Sequence, residues 1–329
     1  MTTSRREFIG LGAGAFAAGI LPAFGEKGRE IFYAAEPQGE EALQMPIMKA
    51  FHPTRLEIAV GAKTPFSMLH ISDSHLARMN AIDLAKADDV ELKWYESRRR
   101  HFENAETGLA AALVYAKVKR LPIVHTGDLL DYVSDAGLRE AQRNLEGRSV
   151  LYAIGNHEHA GTPRPGPYGK ALAPARKTIE PWFPNPFMLT SRMKNGVNFV
   201  AFDNVGMCAD LVDEQFAAIK AEFAKGLPVV LCYHIPFYTE ALADSLMAID
   251  GYKPKSRDAI NEAWLAACPG KPALKINGLL RKWLPEQKNL KALLCGHMHY
   301  EFQGDFTDRV KQYVCGASYL GHAYEIVFK

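Results

Sequence analysis

Five short motifs hold the residues of this chain whose types and spacing could do chemistry. They are Asp73-Ser74-His75, Gly127-Asp128-Leu129-Leu130-Asp131, Gly155-Asn156-His157-Glu158, the lone His234, and Gly296-His297-Met298-His299. Carboxylate oxygens and imidazole nitrogens together suit borderline divalent and trivalent ions: Fe, Zn, Mn or Co. Asp73 and His75 sit on one turn and can chelate a single ion; His297 and His299 can do the same from the opposite side. The two oxygens of Asp128 can bridge two ions. Asn156 offers a neutral carbonyl oxygen that avoids over-neutralising the second ion. Two ions ~3.5–4 Å apart can share a hydroxide, lower its pKa and clamp a phosphate for in-line displacement. The glycines ahead of Asp128, Asn156 and His297 permit sharp turns and close approach of backbone to ligand.

These motifs need a scaffold that delivers them to one place, and the apolar pattern predicts one. Ser67–Ser72, Leu121–Thr126, Ser149–Ile154, Pro228–Tyr233 and Leu290–Cys295 read as strands that each run into a motif, and Val197–Phe202 reads as a sixth strand. In α/β sheets, ligands collect beyond the carboxyl ends of strands. Helical patterns lie between them: Phe102–Lys119, with Leu109, Ala112, Leu113 and Ala116 on one stripe, then Leu211–Lys225 and Ile276–Leu284. From Tyr300 to Phe328 the chain reads as strands broken by Gly304, Gly316 and Gly321. The fold class is therefore α/β, with helices covering sheet faces. Residues 61–329 make up the domain and residues 26–60 a linker wrapping onto it. Two stretches depart from the alternation. Ala160–Pro186 holds seven of the nineteen prolines, too many for regular structure, and reads as a long ordered loop. Tyr238–Asn289 reads as a polar, helical insertion.

In this order, D-x-H, G-D-x-x-D, G-N-H-E, a strand-end His and G-H-x-H resemble the calcineurin-like metallophosphoesterase superfamily, over the span Asp73 to His299. The resemblance implies a four-layer αββα sandwich, two mixed β-sheets flanked by helices. It implies that Asp73, His75, Asp128 and His299 hold a first metal. Asp128, Asn156, His234 and His297 would hold a second, with Asp128 the bridge. His157 would donate to the leaving oxygen or stabilise the transition state, with Asp131 orienting its imidazole and raising its pKa. The implied activity is hydrolysis of a small phosphomonoester or phosphodiester by attack of a metal-bound hydroxide. The alternatives are a nucleotide or pyrophosphate hydrolase of the same fold, or a catalytically inactive, metal-stabilised binding protein. Protein Ser/Thr phosphatases of the superfamily follow the second Asp with an Arg that grips the phosphoryl group. Here Tyr132 stands there, which points away from protein substrates.

At the other end of the chain, Arg5-Arg6 precedes a stretch from Gly10 to Phe24 without a charged residue, shorter than the ~18–20 apolar residues that span a bilayer. Ala23-Phe24-Gly25 then supplies a small-x-small cleavage site. The pattern resembles a twin-arginine (Tat) signal peptide over residues 1–25. It implies engagement of the Tat export machinery and a periplasmic or secreted protein with no transmembrane span in the mature chain; an uncleaved anchor is the alternative.

Composition bounds the rest. With 39 basic and 37 acidic residues among 329, and 48% hydrophobic residues, the chain is near-neutral and globular. Disorder, collagen-like repeats and a disulfide scaffold are excluded. No basic stripe marks a nucleic-acid binder. Cys232, Cys295 and Cys315 lie in strand-like runs, where a thiol acts as a small hydrophobe, and with Cys208 and Cys268 the five are odd in number. Among the other histidines, His52, His101 and His322 read as surface or satisfied core groups, and His70 and His125 as packing beside motifs. His159, just past G-N-H-E, is a candidate substrate contact. Asp203-Asn204 reads as a turn former, and Arg98-Arg99-Arg100 as a solvated face at the start of a helix.

Overall fold

The computed structural model describes residues 51, 53–164, 174–249, 256–260 and 272–329. The export signal read over residues 1–25, His52 and Cys268 lie outside them.

Alternation with period two builds two sheets, each apolar on both faces. The first has the order β1 (Thr54–Ile58), β11 (Tyr324–Phe328), β2 (Phe66–Ile71), β3 (Ile123–His125), β4 (Val150–Tyr152). Its pairings are parallel except β11 with β2. The second has the order β5 (Leu189–Lys194), β6 (Val197–Phe202), β7 (Val229–Cys232), β8 (Leu290–Cys295), β10 (Lys311–Val314), β9 (Phe302–Asp305). Only its two outer pairs are antiparallel. One parity of side chain fills the space between the sheets: Met68, Val124, Leu151, Ile326 and Phe328 join Phe199, Ala201, Val230, Ala292 and Leu294 in a single buried layer. The opposite parity, including Leu69, Ile71, Val150, Leu231 and Leu293, belongs to a second core shared with the helices. The chain is thus the four-layer sandwich, two mixed sheets flanked by helices. Each large apolar side chain so buried contributes ~1.5–3 kcal/mol, which holds the strand ends in fixed relation.

The helices that matter for the site are α1 (Asp89–His101), α2 (Ala105–Lys119), α3 (Asp135–Leu145), α4 (Val212–Ala224), α5 (Glu240–Met247) and α6 (Pro272–Trp283). Helix α2 buries Leu109, Ala112, Leu113 and Ala116, the stripe read from sequence. Helix α1 starts on a capping box, with Asp88 accepting from the Glu91 N–H and Glu91 accepting from the Asp88 N–H.

Some elements differ from the expectation. Thr54–Ile58, inside the stretch read as a linker, is strand β1, paired parallel to β11. Strand β5 went unread because its residues Leu189–Lys194 are half-buried or exposed and lack a clean apolar run. Gly304 lies within β9 rather than breaking it. Within the stretch read as a polar, helical insertion, the described residues do form helices α5 and α6, and α6 packs on α4. The arginines Arg98–Arg100 close α1 rather than open a helix. Cys208, Cys232, Cys295 and Cys315 are free thiols, all buried. Among the described residues, no helix is long and apolar enough to cross a membrane.

Candidate metal centre

All five motifs leave the carboxyl ends of parallel strands, three from the first sheet (β2, β3, β4) and two from the second (β7, β8). The parallel pairing continues past the strands. Asp73 N–H donates to Gly127 O at 2.9 Å, His75 N–H to Asp128 O at 2.9 Å, and Gly296 N–H to His234 O at 3.0 Å. The motif loops are therefore registered on one another by backbone hydrogen bonds.

At this edge Asp73, His75, Asp128 and His299 form one cluster of ligand-type atoms and Asp128, His234 and His297 another, with the atoms of each group within 4.8 Å of one another. Asp128 belongs to both. Asn156 joins the second through Oδ1, 3.0 Å from His234 Nε2. His75, Asp131 and His157 form a third group beside the first. Every one of the nine residues singled out from sequence lies at this one edge, and all but His157 are buried.

The backbone here is held in an uncommon conformation. Among the described non-glycine residues, seven have positive φ, and five of them are Asp73, His75, Asp128, His297 and His299. The left-handed region costs an L-residue ~1–2 kcal/mol, and such outliers concentrate where a surrounding structure over-determines them for function. Sequence reasoning looked to the glycines for these turns. Gly127 does take φ +98°, but the chemistry-bearing residues themselves carry the rest of the turning.

Hydrogen-bond accounting shows that the donor set fits metal ions. His234 Nδ1–H donates to Thr126 O at 2.7 Å, which leaves Nε2 as a lone pair. That lone pair faces Asp128 Oδ2 at 3.1 Å and Asn156 Oδ1 at 3.0 Å, both acceptors. His75 Nδ1 lies 3.2 Å from Asp131 Oδ1, which leaves its Nε2 as an acceptor 2.9 Å from His299 Nε2. Asp73 Oδ1 and Asp128 Oδ2 are buried with no hydrogen-bond partner. Lone pairs aimed at lone pairs in a buried site repel, unless a proton or a cation sits among them. The protein's own charges register the same crowding. Burial opposes the charged form of His234, but the Asp128 carboxylate and its hydrogen bond push the imidazole up to about 9. For His297, burial and the neighbouring His234 push it down to about 3.

The third group is built differently. His157 Nδ1 faces Asp131 O at 2.7 Å and Asp131 Oδ1 at 3.2 Å, so Nε2 is the nitrogen left for a substrate. Burial works against its protonated form, but Asp128 and Asp131 raise it to about 8. Asp131 also receives Arg98, which donates Nε–H to Oδ2 at 2.7 Å and a second hydrogen bond to Oδ1. Burial alone would raise the Asp131 carboxyl; the Arg98 guanidinium overrides it and holds the group well below the usual carboxylate range. Arg98 is therefore not part of a solvated face: its side chain is 13% exposed. The signal lay in the spacing. Arg98 is three residues past Tyr95 and four before Phe102, on the packed side of α1, while Arg99 and Arg100 are exposed. Its guanidinium lies over the Phe102 ring at 4.7 Å, and Phe102 stacks on His75 at 4.4 Å.

Other supports also went unread. Glu158 accepts from the backbone N–H groups of Leu130 and Gly155 at 2.9 Å and of Asp128 at 3.2 Å, pinning two motif loops together. Tyr319, on the turn Ser318–Leu320, places its hydroxyl 3.1 Å from His299 Nδ1. Asp203 caps its own turn through Val205, Gly206 and Cys208, as a turn former does. Its neighbour Asn204 does more, accepting from the N–H groups of His234 and Ile235. Tyr132 is buried with its hydroxyl donating to Arg78 O at 3.3 Å, so no cation stands at that position. His70 and His125 are buried neutral rings on β2 and β3, and each hydrogen-bonds a hydroxyl, Thr126 and Ser74 respectively.

No family model matches the chain, and no curated protein matches it. Solved structures are similar to it. A dimetal phosphatase from Danio rerio is 12% identical over 77% of this chain and 88% of its own, with a TM-score of 0.44. Phosphopantetheinyl hydrolase from Mycobacterium tuberculosis is 13% identical over 82% of this chain and 91% of its own, with a TM-score of 0.39.

Proposed function

We propose that this chain is a binuclear metal-dependent phosphoesterase that hydrolyses a small phosphomonoester or phosphodiester. The observation that carries the reading is the convergence at one strand edge of two buried carboxylate oxygens without hydrogen-bond partners, Asp73 Oδ1 and Asp128 Oδ2, with the Nε2 atoms of His75 and His234 turned toward the same place. Asp73, His75, Asp128 and His299 would hold one ion, and Asp128, Asn156, His234 and His297 the other. Such a pair of ions supplies an activated water for attack on phosphorus and charge to neutralise the phosphoryl oxygens.

The chain's own residues do the rest. Arg98 keeps Asp131 ionised, and Asp131 fixes His157 so that Nδ1 is occupied and Nε2 is left for the substrate. Nε2 then carries a proton positioned for the ester oxygen, which leaves as the alcohol when the P–O bond breaks. Burial of the Asp128–Asp73 pair excludes water from the ligand atoms and strengthens their hold on cations.

The test is a panel of aryl monoesters, aryl diesters, cyclic nucleotides, glycerophosphodiesters and nucleotide-sugars. Turnover of at least one class is expected. The His157→Ala variant should retain its metal content and lose ~10²–10⁴-fold in kcat. A panel with no substrate cleaved overturns the reading; metal lost from the His157→Ala protein overturns that residue's role.

A further inference from the structure

A cavity of about 420 Å³ is lined in part by His159, two residues past His157, and falls within the ~300–1,000 Å³ common to small-molecule sites. His159, Arg176, Lys177, Gly206, Met207 and Asp210 are among the residues that line it. Its walls are tied to the catalytic loops at two points. His159 ends the turn His157–His159, where its N–H donates to Asn156 O and the following Ala160 N–H donates to His157 O. Gly206 and Met207 follow the Asp203-Asn204 turn, and Asn204 accepts from the His234 N–H. A ligand seated here would touch segments that carry the catalytic imidazole on one side and brace a metal-ligand strand end on the other.

The lining is cationic on one wall. Arg176 and Lys177 stand together, with His159 in the same lining and Asp210 its only carboxylate among the described residues. Arg176 Nη1 is buried with no hydrogen-bond partner. Asp210 Oδ1 lies 3.7 Å from it, beyond hydrogen-bond reach, and that carboxylate side chain is 70% exposed. The rest of the guanidinium leans on the Cys208 thiol, but the Nη1 hydrogens have no acceptor, which an incoming anion would supply. Met207 offers apolar surface to a carbon skeleton.

We propose that this cavity receives the alcohol portion of the phosphoester and that Arg176, helped by Lys177, recognises a second anionic group on it, a carboxylate or a phosphate. The inference rests on the phosphoesterase reading and names its substrate class. Arg176 sets specificity; it is not a catalytic residue.

The experiment measures binding with phosphonates, which are not cleaved. Affinities of the full chain loaded with Mn²⁺ are compared by calorimetry for benzylphosphonate, 4-carboxybenzylphosphonate and a matched bisphosphonate. At least one anion-bearing analogue should bind ~10- to 100-fold tighter than benzylphosphonate, the size of a charge-assisted hydrogen bond. Arg176→Met should close most of that gap, and Arg176→Lys should keep part of it. Lys177→Met, which removes an exposed cation, should narrow it less. Equal binding of all three analogues by the unaltered chain, or a gap that persists in Arg176→Met, overturns the proposal. The readout separates the two readings. A gap abolished in Arg176→Met while no ester is ever cleaved supports this cavity and removes the hydrolase; esters cleaved without any gap do the reverse.

Discussion

At the scale of single residues, the centre is organised around two carboxylates with different jobs. Asp128 has one oxygen committed, Oδ1 accepting from the His157 N–H at 2.8 Å, while the other, Oδ2, faces the imidazole nitrogens of His234 at 3.1 Å and His75 at 3.7 Å. Asp131 is saturated by Arg98, His75 and His157. Both are buried, but only Asp131 is matched by a fixed cation from the protein. Arg98→Ala would strip that cation from a carboxylate 1% exposed, and breaking a buried pair in this way costs ~3–5 kcal/mol. Denaturant unfolding should show that loss, together with a fall in kcat as His157 loses its orientation. Arg98→Lys keeps the charge without the two-pronged hydrogen bond and should fall between. Equal stability and turnover in all three proteins would mean that the pair is incidental. The ligand types were legible from D-x-H and G-H-x-H, whereas Arg98 was not. A run of three arginines looks solvated until helical phase assigns one of them to the packed face.

At the scale of elements, the strand-end turns decide the geometry. Gly155 is required by close approach: a Cβ there would meet the Asp128 N and Oδ1 at 2.2 Å. Gly155→Ala should force the loop after β4 away from Asp128, cost ~1–3 kcal/mol in stability and sharply lower turnover. Gly278→Ala, in α6 with nothing within 4 Å of the added carbon, is the control. It should raise stability by roughly 0.5–1 kcal/mol through helix propensity alone. Unfolding curves on the two variants check both signs. Six strands and the helix stripes were readable because apolar period is a direct imprint of burial. Strand β5 and the short edge strand β1 were not, since edge strands bury too little to carry a clean pattern. The helical character of the polar stretch over 238–289 was legible from its pattern, and its helix α6 packs on α4.

At the scale of the whole molecule, the layer between the sheets makes the site possible. Strands β2, β3 and β4 belong to one sheet and β7 and β8 to the other, so ligands reach one another only if the two sheets keep a fixed spacing. The shared core of Phe199, Phe328, Val124 and Leu294 provides that spacing. Asp73 from one sheet accepts from the His297 N–H of the other at 2.9 Å, which closes the seam. On the proposed reading, a chain with nearly balanced charge would meet a phosphoester locally, through the positive charge of ions held at this seam. The measurement that tests this most directly is the metal content of the purified full chain and of its Asp128→Ala variant, read by mass spectrometry after equilibration with Mn²⁺ or Zn²⁺ and dialysis. About two ions per chain are expected for the unaltered protein, as in two-metal sites, and fewer than one for Asp128→Ala. An unaltered chain that retains no metal, or an Asp128→Ala chain that retains both ions, would contradict the account.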